Sequence, residues 1–145
     1  MLKARRGETI LEIGFGTGHS LLTLAEPVGE SGHIHGIDLS EEMLAIANSR
    51  IEPAGLSKRV ALRCGDSTSL PFKADTLDAA FSSFTLELFD TPEIPLELNE
   101  CWRVLKQQGR ICIVSLSRYR KPNSMMRLYE WAHERFPYFI DCRPI

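Results

Sequence analysis

The sequence predicts an α/β fold, a mainly parallel sheet with helices on both faces, and three observations carry that expectation. Five short apolar runs alternate with stretches of helical pattern, which is how parallel strands joined by crossover helices read along a chain. The first run ends in closely spaced glycines, Gly14, Gly16 and Gly18, and the second ends in an acid, Asp38. At 145 residues and 43% hydrophobic content, the chain can bury one substantial core but hardly two, so 1–145 is expected to be a single domain.

Taken in order, the first strand is expected over Thr9 to Ile13, and the glycines stop it because residues without a Cβ tolerate positive φ and close approach. A helix over Ser20 to Glu26 and a strand over His33 to Ile37 follow. Ser40 is placed to cap a helix over Glu41 to Ala54, with Glu41 and Glu42 complementing the dipole in its first turn and Gly55 ending it. The remaining strands are expected over Val60 to Cys64, Leu77 to Ser82 and Arg110 to Ser115, and the remaining helices over Pro92 to Leu105 and Ser124 to Phe136. No internal repeat, low-complexity tract or linker divides the chain.

A glycine turn after one strand and an acid after the next suggest a nucleoside site, the acid gripping ribose hydroxyls. The spacing is GxGxG rather than GxGxxG, because His19 stands where the dinucleotide fingerprint has its third glycine, which argues against NAD or FAD. Glu12, two residues before Gly14, would repel a pyrophosphate but suits a ligand carrying an ammonium and a sulfonium.

The segment Leu11-Glu12-Ile13-Gly14-Phe15-Gly16-Thr17-Gly18 resembles the first motif of the class I S-adenosylmethionine (SAM) dependent methyltransferases. Ile37-Asp38-Leu39-Ser40-Glu41-Glu42-Met43-Leu44 is similar to the family's second motif, Cys64-Gly65-Asp66 to its third, and Arg103 to Arg110 to the turn before its fifth strand. Four motifs in order are far more specific than one glycine loop. The resemblance implies a Rossmann-like fold, SAM as cofactor and S-adenosylhomocysteine as product. It implies that Gly14, Phe15, Gly16 and Gly18 form the loop against the methionine part and ribose, with Glu12 toward the ammonium end and Asp38 on the ribose hydroxyls. Leu39 and Met43 would cover the adenine, Asp66 after Gly65 would accept from its amino group, the Ser67 amide would face a ring nitrogen, and Ser82 would stand near the methyl site.

Plainer readings stand beside these. Asp66 and Ser67 suit an ordinary turn or helix cap, Met43 suits a core, and Ser82, Ser83 and Thr85 are ordinary residues for a strand end. His19 is the most tempting general base, with a helix-start or surface histidine as its rival; His33 and His35 read as strand residues and His133 as part of an amphipathic helix. No residue is assigned as catalytic. Methyl transfer depends chiefly on positioning and exclusion of water, because the sulfonium is already activated.

The resemblance also implies a difference, since the family's sheet usually has seven strands and this chain has motifs for five. The last two strands are expected to be missing, along with the helix that many relatives place in front. An uncovered fifth strand would be an open edge. The chain is therefore expected to be a fragment of a longer one, or else to protect that edge with Tyr138 to Ile145 or with a second copy as a homodimer.

Partners are expected to be small molecules. The net charge is −2 with no Lys/Arg run, which gives no electrostatic footprint for nucleic acid, and the motif of amino-methylating DNA enzymes is absent from Phe81-Ser82-Ser83-Phe84-Thr85. No apolar stretch is long enough to span a bilayer and no signal core follows Met1, so the cytosol is the default location. Cys64, Cys101, Cys112 and Cys142 form no CxxC pair and read as reduced thiols without a metal. The tail from Leu128 to Ile145, with Val104-Leu105-Lys106 upstream, is similar to the branch containing quinone-biosynthesis methyltransferases, although Gln107-Gln108-Gly109 replaces the commoner Pro-Gly-Gly. That similarity implies a quinone-like or aromatic acceptor. A noncatalytic SAM-binding module or incomplete fragment is the alternative, and an aminopropyl transferase using decarboxylated SAM is a third reading.

Overall fold

The computed structural model describes residues 2–88 and 92–115. Along the chain lie β1 (Thr9–Ile13), α1 (His19–Val28), β2 (His33–Asp38), α2 (Glu41–Ile51), β3 (Val60–Cys64), β4 (Leu77–Ser83), α3 (Ile94–Val104) and β5 (Leu105–Val114), with single 3-10 turns at Ser67–Ser69 and Leu86–Leu88. Among the described residues all the strand pairings are parallel, in the order β3-β2-β1-β4-β5. The α/β reading holds. The helix expected over Ser124 to Phe136, the edge cover expected from Tyr138 to Ile145, and His133 and Cys142 lie outside the described residues.

β1 sits at the centre because it is apolar on both faces. Ile10 and Leu11 are both wholly buried, and each side belongs to a different core. On one face Ile10 and Ile34 meet Leu21, Leu24 and Val28 of α1 and Ala47 and Ile51 of α2. On the other, Leu11, Ile13 and Ile37 meet Cys101 and Val104 of α3. The period-two alternation of the strand thus feeds a helix layer on each side.

β1 pairs with β2 from Thr9↔His33 to Ile13↔Ile37, and with β4 from Ile10↔Ala79 to Ile13↔Ser82. Chain order reverses between β1 and β4, so the connections leave in opposite directions and open a crevice at the carboxyl ends of the strands.

Most of the boundaries that differ from expectation do so by one or two residues, and two differ by more, each for a local reason. α2 ends at Ile51 rather than Ala54, yet Gly55 still closes it: at φ 70° its amide donates to the Glu52 carbonyl and the Leu56 amide donates to the Ile51 carbonyl, the paired bonds of a Schellman cap. β5 begins at Leu105 rather than Arg110 because α3 runs straight into it. Between the pairs Leu77↔Leu105 and Ala79↔Arg110, β4 advances two residues and β5 five, so Lys106-Gln107-Gln108-Gly109 bulges from the ladder.

Candidate functional site

A cavity of about 590 Å³ opens at the carboxyl ends of β1, β2, β3 and β4, within the size range of small-molecule sites. Gly14 and Gly16 form its floor, Asp38, Leu39 and Met43 its β2 side, Gly65, Asp66 and Ser67 its β3 side, and Ser83, Phe84 and Thr85 its β4 side. Eight of the expected site residues therefore face one space: Gly14, Gly16, Asp38, Leu39, Met43, Gly65, Asp66 and Ser67.

The turn after β1 is fixed from two directions. Gly14 has φ 66°, its amide donates to the Ile37 carbonyl at 2.8 Å, and an added Cβ would lie 2.2 Å from the Thr85 hydroxyl oxygen. Only glycine fits there, because both the backbone and the space exclude a side chain. Two residues on, the Gly16 amide donates to Asp38 Oδ2 at 2.8 Å, while Asp38 Oδ1 accepts from the Ser40 amide at 3.0 Å. Asp38 thus holds the glycine loop as well as facing the cavity.

The β2 side continues into α2. Ser40 caps the helix, its hydroxyl oxygen accepting from the Met43 amide at 3.2 Å, which brings Met43 to the wall one turn from Leu39. Met43 also packs against the core, so both readings of it describe the same side chain. Leu39 is 69% exposed, an apolar surface that folding alone leaves uncovered. On the β3 side, Asp66 accepts from the Thr68 amide at 2.8 Å and so caps a turn while lining the cavity. That turn is tied to α3: Glu100 accepts from the Leu70 amide at 2.8 Å, and Arg103 grips Glu100 while donating to the carbonyls of Leu70 and Phe72.

Four expected residues do not line the cavity. Phe15 turns into the core, where the missing Cβ of Gly36 makes room for its ring. Gly18 starts α1 against Ala47. Ser82 is buried with its hydroxyl unbonded, and the neighbouring Ser83 takes the wall position. Glu12 lies behind the glycine loop, 1% exposed, with one carboxylate oxygen accepting from the Ser20 hydroxyl and the other unbonded. Burial pushes its pKa up to about 7; the Ser20 bond opposes the rise and the Asp38 charge adds to it.

His19, the tempting base, lies against the Arg50 guanidinium on the outside of α1 and does not line the cavity. His35 packs on Phe72, and burial is the main cause that lowers its pKa. Sequence reasoning passed over Phe84, Leu88, Ser40 and Glu93, which also line the cavity, and over the buried Glu97 beside the Asp66 turn. The signal for Phe84 and Leu88 was topological: the loop after β4 must border the crevice. Nothing in the local pattern marks Glu97, which stands on an otherwise ordinary amphipathic helix. Among the described residues no helix is long and apolar enough to cross a membrane, and no group of three or more His, Cys, Asp or Glu could hold a metal ion.

Comparison with known proteins supplies the family. A methyltransferase domain model matches residues 10–109. The demethylmenaquinone methyltransferase of Lactobacillus johnsonii is 33% identical over 139 residues, covering 95% of this chain and 55% of that protein. The chain thus spans about half the length of the curated relatives it matches. Among solved structures, a SAM-dependent methyltransferase from Aquifex aeolicus superposes with a TM-score of 0.69 at 27% identity over 92% of this chain and 71% of that one. The cyclase SpnF does so with a TM-score of 0.72 at 32% identity over 83% of this chain and 44% of that one.

Proposed function

Since the chain belongs to the class I SAM-dependent methyltransferase family and SAM is accordingly its cofactor, we propose that it transfers the methyl group of SAM to a small-molecule acceptor of the quinone-like or aromatic kind. The observation that carries this reading is the bond from the Gly16 amide to Asp38, which locks the glycine turn and the acid at the end of β2 into one wall of one cavity. The acceptor class rests on similarity to demethylmenaquinone methyltransferases.

The residues present fit the cofactor. Asp38 would accept from the two ribose hydroxyls, Leu39 and Met43 would cover the adenine, Asp66 would accept from its amino group, and the Ser67 amide would face a ring nitrogen. Gly14 and Gly16 let the backbone approach the methionine part, while the unbonded oxygen of buried Glu12 places a carboxylate behind the loop, where an ammonium is favoured. When bound, SAM supplies a methyl group already activated by its sulfonium. The protein's part is to orient the two reactants and keep water away from them. Ser83, Phe84 and Thr85 border the side from which an acceptor approaches.

Calorimetric titration with S-adenosylhomocysteine, with NAD as control, tests the cofactor site. Saturable binding of S-adenosylhomocysteine alone is expected, and Asp38→Ala should weaken it by about 1 to 3 kcal/mol, the cost of losing bonds to a charged acceptor. Unchanged affinity in that variant would overturn the ribose assignment. Similarity to a cyclase as well as to methyltransferases makes turnover a separate measurement, in which release of S-adenosylhomocysteine in the presence of a quinol is the expected outcome.

A further inference from the structure

Phe84 has φ 54°, a left-handed conformation that a bulky aromatic rarely adopts and that persists only where its surroundings hold it. Two contacts hold it. Its amide donates to the Val114 carbonyl at 2.8 Å, and the hydroxyl of the next residue, Thr85, lies 3.2 Å from the carbonyls of both Ile13 and Ser83 while its methyl fills the space over Gly14. The backbone is thereby forced to present the Phe84 ring to the cavity instead of to a core. Phe84 is 54% exposed, as is Leu88 four residues further on, and both line the cavity beyond the end of β4. The acids Asp38 and Asp66 line the β2 and β3 sides, whereas Phe84 and Leu88 add apolar surface beside Ser83, Thr85 and Glu93 beyond the end of β4, the side left for the second reactant.

We propose that Phe84 is an acceptor-binding residue, a strained aromatic plate that selects planar aromatic acceptors over aliphatic ones. The inference deepens the methyl-transfer reading and rests on it for the second reactant. An aromatic ring that lines a cavity and is left half exposed can stack with another ring, a gain that a saturated molecule of similar size and polarity cannot match.

The test uses 1-naphthol as planar probe and decahydro-1-naphthol as saturated control of the same carbon skeleton, each titrated into the chain with and without S-adenosylhomocysteine. 1-Naphthol is expected to bind about tenfold more tightly than decahydro-1-naphthol, and Phe84→Leu, which keeps apolar bulk, to lose most of that preference while Phe84→Tyr keeps it. Phe84→Gly suits the left-handed backbone, so it should fold as well as the parent, bind S-adenosylhomocysteine within about twofold of it, and lose the naphthol preference. Equal affinity for the two probes in the parent, or an unchanged preference in Phe84→Gly and Phe84→Leu, would overturn the proposal. Failure of S-adenosylhomocysteine to bind would overturn the cofactor reading instead, and the titrations without it would still decide the role of Phe84.

Discussion

At the level of single residues, the site has one steric lock and one buried carboxyl. Thr85 occupies the space where a Cβ on Gly14 would stand, so Gly14→Ala must displace Thr85 and also adopt positive φ. A loss of about 1 to 3 kcal/mol in urea unfolding is expected, with part of it recovered when Thr85→Ala is added, because only the steric component is relieved. A fully additive double variant would mean that the two residues do not share the lock. Glu12 leads to a second expectation: with its pKa near 7, the fraction ionised rises through neutrality, and affinity for S-adenosylhomocysteine should rise with it between about pH 6 and pH 8. In Glu12→Gln that rise should be reduced. The glycines, Asp38 and Asp66 could be read from the chain because turn chemistry and strand ends leave local marks. Phe15 and Ser82 could not be placed, since which way a side chain turns at a strand end depends on partners distant in sequence, Gly36 for one and the β4 register for the other.

At the level of elements, α3 steadies the β3 side of the cavity without lining it through Arg103. The Glu100 and Arg103 pair, one turn apart, takes up the Leu70 amide and the carbonyls of Leu70 and Phe72, and so fixes the segment that follows Asp66 and Ser67. Glu100 is correspondingly held below the usual carboxylate range, chiefly by its bonds to Arg103. Arg103→Ala is expected to weaken S-adenosylhomocysteine binding about two- to fivefold while far-UV circular dichroism stays the same, because one grip loses several bonds but no core contact is lost. Unchanged affinity would show that the turn holds its shape unaided. The strands were legible nearly to the residue, since β1 and β3 have the expected bounds, because short apolar runs between turn residues have few other ways to be satisfied. The start of β5 was not, because Lys106-Gln107-Gln108-Gly109 reads as a turn and is accommodated as a bulge within the pairing.

At the level of the whole molecule, two sets of carboxyls pull stability in opposite directions with pH. Glu12 and Glu97 are buried acids whose pKa rises from 4.5 to about 7 in the folded chain, so they favour the folded state fully below pH 4.5 and lose that contribution as pH rises through about 7. Glu8, bonded to Arg110 across the sheet, Asp78 and Glu100 are lowered instead, and their contribution is present above their unfolded values and fades as pH falls. The melting temperature is expected to be higher at about pH 5 than at about pH 8, with the difference smaller in Glu97→Gln; a flat profile in the parent would contradict the burial of both acids. The parallel order of the sheet was legible from alternation, whereas these long-range carboxyl environments were not, because burial on α3 is decided by what packs against it. The placement of β1 has a kinetic consequence as well. This strand must register with residues about seventy positions later before the crevice exists, so β1, β2 and β3 can assemble early while the seam between β1 and β4 waits for distant chain. The Thr85 latch over Gly14 closes with that seam, which makes completion of the binding site one of the last events of folding and makes any molecule seated there a brake on the first step of unfolding.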